Sequence, residues 1–277
     1  MKNEQPRTER TNHVSWSMQQ ALNLGLPSRS VLMLDVIIST VDAHCKSIIL
    51  CGSWADGTST NQSDLDLLFI TEEEDEKNAV ITSLVRLLSK PQKPVYDCRV
   101  LSRQDILRLS EGTQHFALWL LLSTGIVISG SVLNDIVKLD LEKVRVLLSN
   151  ILERINHCIA SLESNIHYAG ACLHSAYIAR TLFFIDKHLL RNGHHPELKK
   201  AYIKRLIGPP FKTVEKLYNE IAVSKKPFGE LGVIPRVCTR DGLRYSKEQY
   251  HELYDACTKL ESSIQDLRFQ VQSKLLP

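Results

Sequence analysis

The sequence predicts an α+β protein: a small mixed-sheet domain over residues 13–140, then an all-helical bundle over residues 141–277. Three observations carry this. In the first half, short apolar runs closed by Gly or flanked by Pro alternate with amphipathic stretches. Past Asp140 the apolar residues recur almost only at helical spacing. With 277 residues, 43% hydrophobic and 23% charged, the chain has apolar material for two cores and is not globally disordered.

Residues 1–12 are polar and read as a frayed tail. Val14–Leu24 has a helical pattern ended by Gly25 and Pro27, and Ser28 or Ser30 caps a second helix to about His44 with Val31, Leu34, Ile37, Ile38 and Val41 on one face. Ser47–Cys51 is a buried strand ended by Gly52, and Leu65–Ile70 is a second strand. Thr71–Glu76 is read as a solvated acidic turn leading into a helix to about Leu88, which Pro91 and Pro94 end. Val95–Val100 is a third strand; Ser102 with Asp105 caps the next helix; Thr113–Ser123 is another; Gly125–Ser129 is a fourth strand, closed by Gly130. In the second half Leu141–Leu162 and Ile166–Leu190 are long helices, Pro196–Leu206 and Thr213–Val223 shorter ones, and Lys225–Gly242 a loop. Ser246 with Gln249 caps a last helix to about Lys274, so the pattern is an up-down bundle.

Charge is unevenly placed. Residues 1–140 hold 13 Lys and Arg against 17 Asp and Glu, whereas residues 141–277 hold 21 against 14. The seven cysteines are odd in number and include no C-x-x-C, which argues against a disulfide framework or a zinc ribbon and for a reducing compartment. No apolar run is long enough to span a bilayer, and the polar first residues do not read as a signal peptide, so a cytoplasmic location without membrane contact is expected.

The chemistry lies in Ile48–Ile70, IILCGSWADGTSTNQSDLDLLFI. A strand runs into Gly52–Ser53 and then the first turn of a helix. Gly lets backbone approach a ligand, the unpaired N–H groups of a helix start suit phosphate, and Ser53 adds a hydroxyl. Asp64 and Asp66 are i and i+2 on a strand, so both face one way, about 6.5–7 Å apart along the chain. Two carboxylates on one face form a hard-oxygen site suited to Mg²⁺, with Mn²⁺ as a substitute.

With these residues in place, the chain resembles the polymerase-β-type nucleotidyltransferase superfamily. Cys51, Gly52, Ser53, Asp64 and Asp66 match its signature, an apolar residue, Gly-Ser, a spacer, then Asp-x-Asp in an apolar strand. Ala55, Gly57, Ser63 and Leu67 match its smaller bacterial and archaeal members, while Asp56 stands where Arg is usual. The resemblance covers roughly residues 45–130. It implies a third carboxylate from a later strand, for which Asp97 in VYDCRV is the candidate. It further implies that Asp64, Asp66 and Asp97 hold the metals and that Asp97, or else a residue of the bundle, takes the acceptor's proton. Gly52, Ser53, Ser63 and Arg180 are expected to bind the nucleotide, most simply ATP, in a cleft between the domains. The acceptor is expected to be RNA or a protein, because the net basic charge of residues 141–277 weighs against a cationic antibiotic; a small molecule such as an antibiotic is the alternative acceptor, and a homo-oligomer is compatible with either. The competing classes are a non-catalytic nucleotide- or RNA-binding module and an antitoxin-like interaction protein.

Blander readings stand beside these. Two exposed acids on a surface strand would also give Asp64 and Asp66. His167, His174, His194 and His195 lack a zinc ligand set and read as structural or surface residues. Arg180, in an otherwise apolar helix, also fits an edge salt bridge. Lys199, Lys200, Lys204, Arg205, Lys212 and Lys216 form either a solvated face or an anion-binding face, with Tyr202, Phe211 and Tyr218 as stacking platforms or core.

Overall fold

The computed structural model describes residues 13–59, 63–89, 96–112, 114–131, 137–164, 167–224 and 245–274. The expected tail at residues 1–12 and the loop at 225–242 lie outside these. Along the chain the elements are β1 (His13–Val14), α1 (Met18–Asn23), α2 (Ser28–Val41), β2 (Ser47–Cys51), α3 (Gly52–Ala55), β3 (Leu65–Thr71), α4 (Glu74–Leu87), β4 (Tyr96–Ser102), α5 (Arg103–Glu111), α6 (His115–Thr124), β5 (Ile126–Ser131), α7 (Leu141–Glu163), α8 (Tyr168–Ile185), α9 (Lys199–Ile207), α10 (Phe211–Ser224) and α11 (Lys247–Ser273). A 3₁₀ turn follows α2 at Asp42–His44, and a π-helical turn continues α8 through Asp186–Leu190. The fold is α+β.

Residues 13–139 form one compact unit around a mixed sheet of order β1-β5-β2-β3-β4, in which only β3 and β4 run parallel. Both faces of the sheet are covered, so its central strands are continuously apolar rather than alternating. On one face Ile48, Leu50, Leu65, Leu67, Phe69 and Cys98 pack with α2 (Leu34, Ile37, Val41) and α4 (Val80, Leu84). On the other, Ile49, Cys51, Leu68, Ile70 and Leu101 pack with Ile106 of α5 and Leu118 and Leu122 of α6. Each fully buried Leu, Ile or Phe contributes about 1.5–3 kcal/mol. Gly130 closes the β2–β5 pair at positive φ (+93°), where a side chain would strike the Lys46 carbonyl.

Three expectations need correcting. Neither Ser28 nor Ser30 caps α2, whose N-cap position is Pro27 and whose first residue is Ser28. The helix expected over Val14–Leu24 begins only at Met18, because His13 and Val14 pair with Ser131 and Gly130 as an edge strand. Nor is the acidic stretch Thr71–Glu76 merely a turn. The Glu73 side chain caps α4 while Glu76 reaches back to the Glu72 and Glu73 N–H groups, placing three acids in the first turn against the positive end of the helix. The Ser102–Asp105 and Ser246–Gln249 boxes form as expected.

The second unit, residues 140–224 and 245–274, is helical. Asp140 caps α7 by accepting the Glu142 and Lys143 N–H groups. α7 buries one stripe (Val144, Leu148, Ile151, Ile155, Leu162) and α11 another (Leu253, Leu260, Ile264, Val271). Twelve of the eighteen residues of α8 are buried, which marks it as the central helix of the unit. At its end His195 bonds Asp186 at 3.0 Å and the Glu197 N–H donates to His195 Nδ1, a structural role as the sequence suggested. The six described cysteines are free thiols. No described helix is long and apolar enough to cross a membrane.

Asp105 ties α4, β4 and α5 together. Its carboxylate, 11% exposed, accepts from Lys77 Nζ at 2.7 Å, Arg108 Nη2 at 2.9 Å and the Ser102 N–H at 3.1 Å. Burial alone would raise its pKa, but the Lys77 and Ser102 bonds outweigh it and the carboxyl lies below the ordinary aspartate range. A depressed carboxylate stabilises the fold above its unfolded pKa, and that stability is lost as pH falls through the folded value. Asp105→Asn is expected to cost about 1.5–3 kcal/mol at neutral pH. In urea melts the gap from wild type should close as pH drops below about 4; a gap constant from pH 7 to pH 3 contradicts the account.

Candidate active site

The register of the sheet builds the site. Cys51 pairs with Asp66 across the antiparallel β2–β3 ladder, and Asp66 pairs with Asp97 across the parallel β3–β4 ladder. On this face the row on β3 runs Ile70, Leu68, Asp66, and the row on β4 runs Leu101, Arg99, Asp97. Apolar side chains under α5 and α6 thus give way to carboxylates at the strand starts. Asp64, just before β3, completes the group: one carboxylate oxygen from each of Asp64, Asp66 and Asp97 lies within 4.8 Å of the others. Asp97 is buried at 9% exposure, and Asp64 and Asp66 are half-buried.

Gly52 follows at the end of β2 with φ +66°. A methyl group at this position would collide with the Asp66 carboxylate, so the missing side chain is what lets the Gly-Ser turn lie against the acids. Ser53 is half-buried in the next position. The four-residue α3 is anchored by Trp54, 7% exposed and packed into the α2–α4 core. Asp56 accepts the Thr58 N–H at 3.0 Å in the turn that follows α3.

The acids act on their neighbours. Burial and then Asp66 push the Cys51 thiol far up, against an opposing effect of Arg99; burial, Asp97 and Asp66 do the same to Cys98. Both shifts favour the protonated thiol. Arg99, 27% exposed in its side chain, brings Nη2 to 3.6 Å from Asp97 Oδ2. Sequence reasoning missed it, although its signal was there: position i+2 from Asp97 on a strand shares its face. Three carboxylates offer only hard oxygen donors, a set that fits Mg²⁺ or Mn²⁺ and not a soft metal.

Of the expected site residues, the structure brings together Asp64, Asp66, Asp97 and Gly52, with Ser53 and Ser63 adjacent in sequence to the group. Arg180 lies in the second unit, exposed, with its guanidinium 5.7 Å from the Phe184 ring centroid. In the basic stretch Lys200 pairs with Glu215 and Arg205 with Glu197, whereas Lys204, Lys212 and Lys216 are exposed. Tyr202 and Phe211 are buried, so they are core rather than stacking platforms; the Tyr218 side chain lies outside the description.

No protein-family model matches the chain, and no curated protein matches it. Among solved structures the chain is similar to the crystal structure of spectinomycin adenyltransferase AAD(9) from Enterococcus faecialis with ATP and spectinomycin. The two share 12% identity over 89% of this chain and 100% of that one, with a TM-score of 0.44.

The fit of Gly52 against Asp66 sets a test. Gly52→Ala is expected to destabilise the protein by more than the roughly 1–2 kcal/mol that a left-handed backbone costs an L-residue, because the methyl also displaces the carboxylate. In an Asp66→Ala background the same substitution should cost only the backbone part. Equal losses in both backgrounds, in a double-mutant cycle by urea unfolding, would refute the contact.

Proposed function

We propose that this protein is a divalent-cation-dependent nucleotidyltransferase that moves a nucleoside monophosphate, most simply AMP from ATP, onto an acceptor hydroxyl. The observation that carries the reading is the meeting of Asp64, Asp66 and Asp97, drawn from two strands and a loop, beside the Gly52–Ser53 turn. A surface strand with two incidental acids has no reason to gather a third, nearly buried one from the neighbouring strand. The intact trio also weighs against a binding-only module.

Asp64, Asp66 and Asp97 would hold Mg²⁺ or Mn²⁺, which when bound offsets phosphate charge and polarises the reacting oxygens. The chain's own residues do the rest. The backbone at Gly52 and the Ser53 hydroxyl bind the triphosphate, with Ser63 beside them. The acceptor oxygen bonds to the α-phosphorus, the bond from that phosphorus to the bridging oxygen breaks, and pyrophosphate leaves. Asp97 Oδ takes the hydroxyl proton. The excess of 21 Lys and Arg over 14 Asp and Glu in residues 141–277 supports an anionic acceptor, RNA before protein, over a cationic antibiotic.

The test is incubation with each α-labelled NTP, Mg²⁺ or Mn²⁺, and total RNA or protein extract, reading which class of molecule takes the label. Label from ATP with release of pyrophosphate is expected. Asp64→Asn, Asp66→Asn and Asp97→Asn should each reduce transfer more than tenfold, a loss above about 1.4 kcal/mol of transition-state stabilisation, without loss of fold. Ser53→Ala should weaken NTP binding by about 1–2 kcal/mol in calorimetry. Transfer by the three Asn variants at a tenth of the wild-type rate or more would sink the reading.

A further inference from the structure

We propose that Arg99 is a positioning residue, a resident counter-charge that holds the Asp97 carboxylate in place and helps keep the three acids gathered before a cation arrives. The inference rests on the reading of Asp64, Asp66 and Asp97 as metal ligands.

Three carboxylates within 4.8 Å of one another repel, and nothing in hydrophobic packing compensates for that repulsion. Arg99 supplies a compensating charge from within the same sheet. It sits two residues past Asp97 on β4, hence on the same face, and its register partner is Leu68, the residue two beyond Asp66 on β3. The guanidinium therefore lies at the boundary where the apolar rows of β3 and β4 turn acidic. Its Nη2 is 3.6 Å from Asp97 Oδ2, and its charge is felt at Cys51, the residue paired with Asp66 on the other side. With 27% of its side chain exposed and Asp97 at 11%, the pair is partly withdrawn from water and less screened than a surface pair. A lysine at this position would keep the charge but lose the planar fork. A dication held by the trio would supply the same charge compensation, so Arg99 matters most when no metal is bound.

Arg99→Met, which keeps the length and removes the charge, tests this. Without metal its melting temperature should fall by about 2–4 °C, the shift that about 1 kcal/mol makes in a domain of this size. Saturating Mn²⁺ should remove most of that deficit, Mn²⁺ affinity by calorimetry should rise severalfold, and Arg99→Lys should lie between Met and wild type. Adding Asp97→Asn to Arg99→Met should recover most of the metal-free loss. If Arg99 only packs against its neighbours, the Met variant loses the same stability with and without Mn²⁺ and Asp97→Asn recovers nothing; that result overturns the proposal. The metal reading fails separately, by the absence of any Mn²⁺ effect on the wild type. In that event the metal-free comparison of Arg99→Met with Arg99→Met/Asp97→Asn alone decides for or against Arg99.

Discussion

The pairing of Asp66 with Asp97 in the parallel β3–β4 ladder is the constraint on which the candidate site depends. Side chains alternate faces along a strand, so a one-residue slip of either partner would send one carboxylate into the α2–α4 core and bring an apolar side chain to the acid end. Electrostatics alone would favour the slip, because the native register places like charges opposite each other. Hydrophobic burial holds the register: Leu65, Leu67 and Phe69 must face one core while Leu68 and Ile70 face the other. Several buried side chains at about 1.5–3 kcal/mol each outweigh the repulsion of one acidic pair.

Polar contacts at the far end reinforce that register. Glu72, just past β3, accepts from Lys46 before β2 and from Arg103 after β4, while Asp105 holds Lys77 of α4 to the start of α5. The first two pairs are exposed, so each contributes at most about 1 kcal/mol. Their importance is geometric: they join the ends of β3 and β4 to the start of β2, at the opposite end of the strands from the acids. The same three strands are tied by ion pairs at one end and gather their three carboxylates, with Arg99 beside them, at the other.

Much of this was legible in the sequence, and what was not has identifiable physical causes. Strands β2 to β5 were readable as short, largely apolar runs, as in Ser47–Cys51 and Leu65–Ile70, because both faces of the sheet are buried. Edge strand β1 was not, since two residues carry no periodicity and their pairing with Gly130 and Ser131 is a long-range event. The acidic run at Glu72–Glu76 looked solvated because composition cannot distinguish a turn from a helix start stabilised by its own acids. Asp64 and Asp66 stood out by local spacing. Asp97 needed the family resemblance, because nothing within its own strand says which residue of β3 it will face. Arg99 was visible as a residue but not as a neighbour of the acids, and Trp54 not as the anchor of α3; their roles come from the register and from the packing of α3 into the α2–α4 core.

Asp64 and Asp97 lie on opposite sides of a β–α–β crossover, and that separation has a consequence for how the protein comes into being. During synthesis the chain emerges with Asp64 and Asp66 before Asp97. The third carboxylate joins only after β4 has docked parallel to β3, a crossover that closes late relative to an antiparallel pair such as β2–β3. A chain ending between α4 and β4 therefore lacks both β4 and β5 and carries two of the three carboxylates. Assembly of the acid trio is thereby coupled to the docking of β4.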